Sequence, residues 1–148
     1  RAGVPVLGGN LPRAELRTAM ADASLEATLP PEVNERIAQA VREGHCDLLP
    51  DAQLPGMVRV QIARDRSMAA TVSTLAREAA PQQTILLLTG AQHASRDRGV
   101  PWHLARSDPS LPVHVVIFGK AAAQLSADEP RADFLTRARD AVMALRDI

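Results

Sequence analysis

Three short apolar runs are the clearest pattern along the chain. They cover residues 4–7, 85–88 and 113–118, and each ends within two residues of a glycine. Short apolar runs bounded by glycine are typical of strands that are buried on both faces of a parallel sheet. The pattern therefore predicts three parallel strands, with loops at their carboxyl ends.

Helical periodicity separates the first two runs. Pro12 stands where the first turn of a helix tolerates proline, which predicts a helix over about 12–22. Beyond the break at 29–31, apolar residues recur every four positions until a glycine ends the pattern: Val33, Ile37, Val41 and Gly44. This spacing predicts a second, amphipathic helix.

A longer helical pattern covers about 53–79, with a possible bend at Pro55-Gly56. Its apolar side carries Met57, Met68, Val72 and Leu75. Gln61 and Asp65 lie on that same side, where two inward polar groups need partners or a wet cleft. The alternative for Asp65, which stands between two arginines, is an ordinary ion-pair group.

The order of strand, helices, strand, short helix over about 100–106 and strand predicts an α/β fold. We expect a mostly parallel sheet flanked by helices, with a small helical subdomain. The pattern over 131–148 fits two structures: a helix throughout, or a short strand at 132–136 followed by a helix.

Composition excludes several classes of protein. The 148 residues suffice for one domain, and 17 basic against 17 acidic residues form no basic stripe, which argues against nucleic-acid binding. Cys46 is the single cysteine, so an intrachain disulfide is excluded, and there is no tyrosine. No apolar run or leader pattern indicates a membrane span or signal peptide, and a start at Arg1 suggests a piece of a longer protein.

The loops after the three predicted strands carry most of the candidate chemistry, because parallel strands present their carboxyl ends at one edge. The polar residues expected there are Asn10, Arg13, His93, Arg96, Asp97 and Lys120. Guanidinium, ammonium and imidazole groups suit a ligand with carboxylates or phosphates. The alternative for His93 is a structural role, as a helix cap or a partner of a carbonyl.

The other histidines favour structural roles. We expect His103 to pack beside Trp102, and His114 to be structural within the third predicted strand. His45 and Cys46 are adjacent and point apart, which argues against a shared metal. The sequence contains no nucleophile elbow, P-loop, zinc-protease or dinucleotide motif, so an enzyme is not indicated by motif.

Four blocks of the sequence resemble one family, the ChaN-type haem-binding lipoproteins, which belong with the Tiki and erythromycin-esterase-like proteins. The blocks are Gly9-Asn-Leu-Pro-Arg13, His45-Cys46, Gln61-Ile-Ala-Arg-Asp65 with Met68-Ala69, and Gly90-Ala-Gln-His93 with Asp97 and 99–104. The resemblance covers the C-terminal half of such proteins. It implies a large parallel sheet, formed here by segments 1–24 and 80–148, and a helical subdomain over roughly 25–79.

The resemblance also implies a function. Such a protein would bind haem without transforming it, in bacterial haem or iron acquisition at the cell envelope, as a lipid-anchored homodimer. The resemblance and the strand-end argument together predict the cofactor-binding residues His93, Arg13, Asn10, Asp65, Gln61 and Arg96, with His93 as the metal-contacting residue. The family's tyrosine ligand to the iron would come from the N-terminal half of the same protein, since this chain has no tyrosine.

Two alternatives stay open. The related Tiki and erythromycin-esterase-like proteins imply a metal-dependent hydrolase, with a divalent metal at His93 and further ligands from the other half. A noncatalytic interaction module is the third class.

Overall fold

The computed structural model describes residues 4–117, which contain five α-helices. They are α1 (Leu16–Ala21), α2 (Ser24–Ala27), α3 (Pro31–Gly44), α4 (Leu54–Glu78) and α5 (Val100–Ser107). Two short 3-10 turns, Arg13–Glu15 and Asp51–Gln53, lead into α1 and α4. None of the helices in this part of the chain is long and apolar enough to cross a bilayer.

The helices predicted from periodicity are confirmed. Helix α3 has proline in its first turn, ends at Gly44, and buries Val33, Ile37 and Val41 along one stripe. Helix α4 begins at Leu54, so Pro55 lies in its first turn rather than at a bend. Proline is tolerated there because the first N–H groups of a helix have no partner within the helix.

Helix α4 is the central element, and α1, α2, α3 and α5 all pack against it. The larger core cluster joins its first half to α3 and to one residue of α5: Leu29, Val33, Ile37, Val41, Leu54, Val58, Ile62 and Trp102. Ile37 and Ile62 are almost completely buried. Each such aliphatic side chain contributes about 1.5–3 kcal/mol through removal from water.

A smaller apolar cluster holds the second half of α4 against α5. Its buried members are Met68, Ala69, Val100 and Leu104. Leu87 and Val113, from two of the runs that were predicted as strands, pack against it while only partly buried. This cluster fixes the start of α5, and therefore also the end of the loop that precedes it.

The predicted α/β fold with a mostly parallel sheet is wrong for residues 4–117. The runs 4–7, 85–88 and 113–117 have no strand assignment, and no backbone hydrogen bond joins them within this range. A strand inside a parallel sheet is buried on both faces, which residues 85–88 are not. Leu86 is 64% and Leu88 is 84% exposed, and only Leu87 packs inward. Residues 4–7 are exposed, whereas Leu87 and Val113 pack against the apolar cluster between α4 and α5 without forming a strand.

Two expectations from the sequence concern segments that lie partly or wholly outside residues 4–117. The third run was expected to extend to Phe118, and the segment 131–148 was left between two forms. Phe118 and residues 131–148 lie outside the described residues. The expected helical subdomain over roughly 25–79 contains α3 and α4, and its separation from a sheet stays a prediction.

Candidate functional site

A polar cluster forms where helix α4 meets the loop before α5. The Nδ1 atom of His93 lies 2.6 Å from Oδ1 of Asp65 and 3.0 Å from Nε2 of Gln61. Nε2 of Gln61 is also 3.3 Å from Oδ2 of Asp65. Gln61 and Asp65 are four residues apart, so both side chains project from the same face of the helix. His93 is therefore the partner that the inward polar pair, Gln61 and Asp65, needs.

The donors and acceptors in this cluster define one consistent arrangement. Nδ1 of an imidazole takes part in one strong hydrogen bond, either by donating its proton or by accepting one. The shorter contact is the one to Asp65, so Nδ1–H donates to Oδ1 of the carboxylate. Gln61 then donates from Nε2 to the other carboxylate oxygen. In the neutral imidazole, this arrangement leaves the free lone pair on Nε2 of His93.

Burial makes Asp65 unusual. Its side chain is 1% exposed, whereas that of His93 is 17% exposed. Removal from water raises the pKa of Asp65 above its ordinary value, and the hydrogen bonds from His93 and Gln61 oppose that rise. Burial is the larger effect, so the carboxylate depends on its two partners for its charge. Asp65 is therefore built to hold His93, rather than to face water.

The backbone of the loop fixes His93 from both sides. Its N–H donates to the carbonyl of Gly90 at 3.0 Å, and its carbonyl accepts from the N–H of Val100 at 2.8 Å. Gly99 permits this closure, because a Cβ there would overlap the carbonyl oxygen of His93 and lie 2.9 Å from that of Ser95. The backbone of His93 is thus hydrogen-bonded to the first residue of α5.

Arg98 is a site residue that the sequence reasoning missed. It donates to Asp97 at 2.8 Å and to Gln92 at 2.7 Å, and its positive charge opposes the raised pKa of Asp65. Arg36, from α3, lies 3.7 Å from the same Asp97. Because arginines flank Asp97 on both sides, the sequence pattern offers no signal that separates Arg98 from Arg96.

The structure brings three of the six predicted binding residues together, Gln61, Asp65 and His93. Asn10, Arg13 and Arg96 are exposed, and none forms a hydrogen bond or ion pair with those three. Asn10 instead accepts from the N–H of Leu11 at 2.8 Å, within its own turn. Lys120 lies outside the described residues. The predicted edge of converging strand ends does not form among residues 4–117.

The remaining histidines lie apart from this cluster. Nδ1 of His45 is 2.7 Å from the carbonyl oxygen of Val41, and the neighbouring Cys46 is exposed. His103 packs edge-on against Trp102 with ring centres 5.0 Å apart. His114 is exposed. Within residues 4–117, no three histidine, cysteine or acidic side chains are grouped closely enough to hold a metal ion.

An imidazole held in this way is suited to ligation through its other nitrogen. Histidines that bind metals almost always donate their second ring N–H to a carboxylate or carbonyl, which fixes the tautomer and raises the basicity of the ligating nitrogen. Nε2 of His93 forms no hydrogen bond with any residue from 4 to 117. The geometry therefore offers a single oriented nitrogen ligand.

The fold and site define a helical domain that presents one carboxylate-oriented histidine from a loop. The sequence profile described as haem-binding uptake, Tiki superfamily, ChaN matches residues 1–104. The chain belongs to this family. No curated protein and no solved structure matches the chain.

Proposed function

We propose that this chain binds haem without transforming it, and that His93 contacts the haem iron through Nε2. The observation that carries the proposal is the 2.6 Å contact between His93 and the buried Asp65. Membership of a haem-binding uptake family supports the choice of haem over other ligands of a single imidazole.

The residues present suit a haem iron better than a bare metal ion. A porphyrin supplies four nitrogen ligands itself, so the protein needs to add only one or two axial ligands. His93 can supply one, oriented by Asp65 and supported by Gln61. The chain contains no tyrosine, so a tyrosinate ligand would come from the N-terminal half of the same protein. When bound, the iron supplies a redox-active Lewis acid, and the protein supplies its position.

A haemin titration followed by the Soret absorption band tests the proposal. The unmodified chain is compared with His93→Ala and with His114→Ala, a matched control that removes an exposed histidine outside the cluster. We expect a saturable Soret shift that His114→Ala retains and His93→Ala weakens at least tenfold. Circular dichroism and thermal unfolding establish that both variants keep the fold. Equal affinity in both folded variants would refute the role of His93.

The wider role is proposed from the family alone. We place the protein in bacterial haem or iron acquisition at the cell envelope, as a homodimer that reaches the membrane only through a lipid anchor outside this chain. Cell fractionation and sedimentation of the full-length protein test location and dimerisation. A cytosolic, monomeric full-length protein would contradict this part without affecting the haem site.

The hydrolase and interaction-module alternatives are separated by a parallel titration with Zn²⁺ or Mn²⁺. A metal-dependent hydrolase needs an open metal position and a base for water, so it would bind Zn²⁺ or Mn²⁺ tightly without a Soret shift. An interaction module would bind neither haemin nor the divalent ions. Only the haem-binding proposal predicts a Soret shift that depends on His93.

A further inference from the structure

A second site lies on another face of α4. A surface cleft of about 410 Å³ opens between α4, α5 and the end of α2, and Arg66, His103 and Arg106 line it. Successive residues of a helix point about 100° apart, so Arg66 projects away from the face that carries Gln61 and Asp65. The cleft is therefore separate from the His93 cluster, and the proposed haem site does not use it.

The lining of the cleft combines positive charge with an apolar floor. Leu29, Ala69 and Trp102 form buried parts of that floor, and no acidic residue lines the cleft. The whole chain balances 17 basic and 17 acidic residues, so two arginines without an acid are a local excess of positive charge. A guanidinium recognises carboxylates and phosphates by paired hydrogen bonds.

Both guanidinium groups lack an ion-pair partner within residues 4–117, whereas Arg36, Arg42, Arg59 and Arg98 each have one there. Arg106 lies over the ring of Trp102, with its Cζ atom 3.6 Å from the ring centre, which holds the group in place. Arg66 influences the carboxylate of Asp22 only from beyond ion-pair distance, and that carboxylate is engaged by Ser24. Arg106 also donates from Nη1 to the carbonyl oxygen of Trp102 at 3.5 Å. Neither guanidinium group therefore has a negatively charged partner within residues 4–117.

The pKa of His103 responds to the positive charge of the two arginines. Burial, followed by the charges of Arg66 and Arg106, lowers the pKa of His103 to about 4. The imidazole is therefore neutral at physiological pH, and its buried Nε2 has no hydrogen-bond partner among residues 4–117. An anion between the two arginines would offset their charge and raise the pKa of His103, which provides an independent spectroscopic signal.

We propose that this cleft binds a small organic anion, in which a carboxylate or phosphate pairs with Arg66 and Arg106 while an apolar body lies on the floor beside Trp102. The anionic group accounts for the two arginines, and the apolar body accounts for the alanine, leucine and tryptophan surface. A compact inorganic ion would pair with the two arginines but would leave the apolar lining of the cleft in contact with water. The cleft volume suits a small ring or a short chain.

The test uses phenyl phosphate as the probe, with inorganic phosphate and phenol as its two halves. Trp102 is the only tryptophan of the chain, so its fluorescence reports on this cleft. We expect phenyl phosphate to bind at least tenfold more tightly than either half and to raise the pKa of His103 in an NMR titration. Equal affinity of phenyl phosphate and inorganic phosphate would overturn the proposed apolar contact, and no saturable signal would overturn the site.

Charge-removing variants locate the binding. Arg66→Gln and Arg106→Gln should each weaken phenyl phosphate binding at least tenfold, whereas Arg17→Gln, an exposed arginine of α1 outside the cleft, should leave it unchanged. Arg66→Gln is the decisive variant, because Arg66 is exposed and forms no ion pair within residues 4–117. His93→Ala should retain phenyl phosphate binding, so failure of the haem proposal and failure of this one are distinguishable. Equal weakening by Arg17→Gln would show nonspecific charge attraction.

Discussion

Replacement of Asp65 by asparagine removes the charge beneath His93 while the shape of the side chain is retained. The amide Oδ1 of asparagine can still accept the proton of His93 Nδ1, so the ring keeps its orientation and tautomer. The new amide nitrogen faces Nε2 of Gln61, and rotation of the Gln61 amide restores an acceptor there. The variant therefore isolates the charge of the partner from its position.

The expected loss of haem affinity follows from the kind of hydrogen bond that is changed. A hydrogen bond to a charged group contributes about 1.5–3 kcal/mol, and one between neutral groups about 0.5–1.5 kcal/mol. The bond is present with and without haem, so only the part of this difference gained on ligation changes the affinity; the full difference of about 1–1.5 kcal/mol corresponds to at most roughly a tenfold change. This lies at the lower end of the roughly 10–100-fold losses found when the outer partner of a metal-binding histidine is mutated.

The assay is the haemin titration of Asp65→Asn beside Asp51→Asn, in which an aspartate that is 96% exposed is neutralised. Asp51→Asn should bind haemin as the unmodified chain does. Affinity of Asp65→Asn within twofold of the unmodified chain would refute the idea that the carboxylate activates His93. A loss equal to that of His93→Ala would mean that orientation, rather than charge, had failed.

The same variant has a pH signature in stability. The pKa of Asp65 is raised in the native state by burial, so the native state holds this proton more tightly than the unfolded chain does. The favourable contribution of Asp65 is complete below its ordinary pKa of 3.8 and is lost as the pH rises through the raised native value. Denaturant unfolding across this range should show Asp65→Asn gaining stability relative to the unmodified chain as pH rises. Parallel curves would contradict the burial argument.

Three further substitutions test the packing around both sites. Gly99→Ala should destabilise the fold by about 1–3 kcal/mol and weaken haemin binding, since the added methyl overlaps the carbonyl of His93; unchanged denaturation and Soret curves would contradict this. Ile62→Ala, at a position with no exposed surface, should cost about 2–5 kcal/mol in urea unfolding, and a smaller loss would indicate collapse of the core around the site. His103→Gln should reduce the loss of stability between pH 6.5 and about 4, because the lowered pKa of His103 favours the native state only while the ring is neutral. Identical pH profiles would contradict that assignment.

The sequence predicts the helices well because their signals are local. The four-residue spacing of Val33, Ile37 and Val41 and the stop at Gly44 specify α3 without reference to the rest of the fold. The same local argument places Gln61 and Asp65 on one inward face of α4, which the His93 contact confirms. A period of 3.6 residues carries enough information for both results.

The predicted strands fail because a strand is defined by its partner. The run 85–88 is equally apolar whether it lies in a sheet or covers a helix pair, and only backbone hydrogen bonding separates the two cases. Leu87 packs on the α4 and α5 cluster while Leu86 and Leu88 remain exposed. The binding edge inferred from strand ends fails with the sheet, which is why Asn10 and Arg13 lie apart from His93.

The hydrogen bond from the N–H of Val100 to the carbonyl of His93 joins the backbone of His93 to the first residue of α5. Val100 is 1% exposed and is locked into the core beside Leu104 and Met68. Local opening in proteins tends to involve contiguous units, and a loop tied to a buried residue opens only with that residue. We therefore expect the backbone of His93 to hold its position before a ligand binds, so that little backbone entropy is lost on binding; slow hydrogen exchange of the Val100 amide would show this.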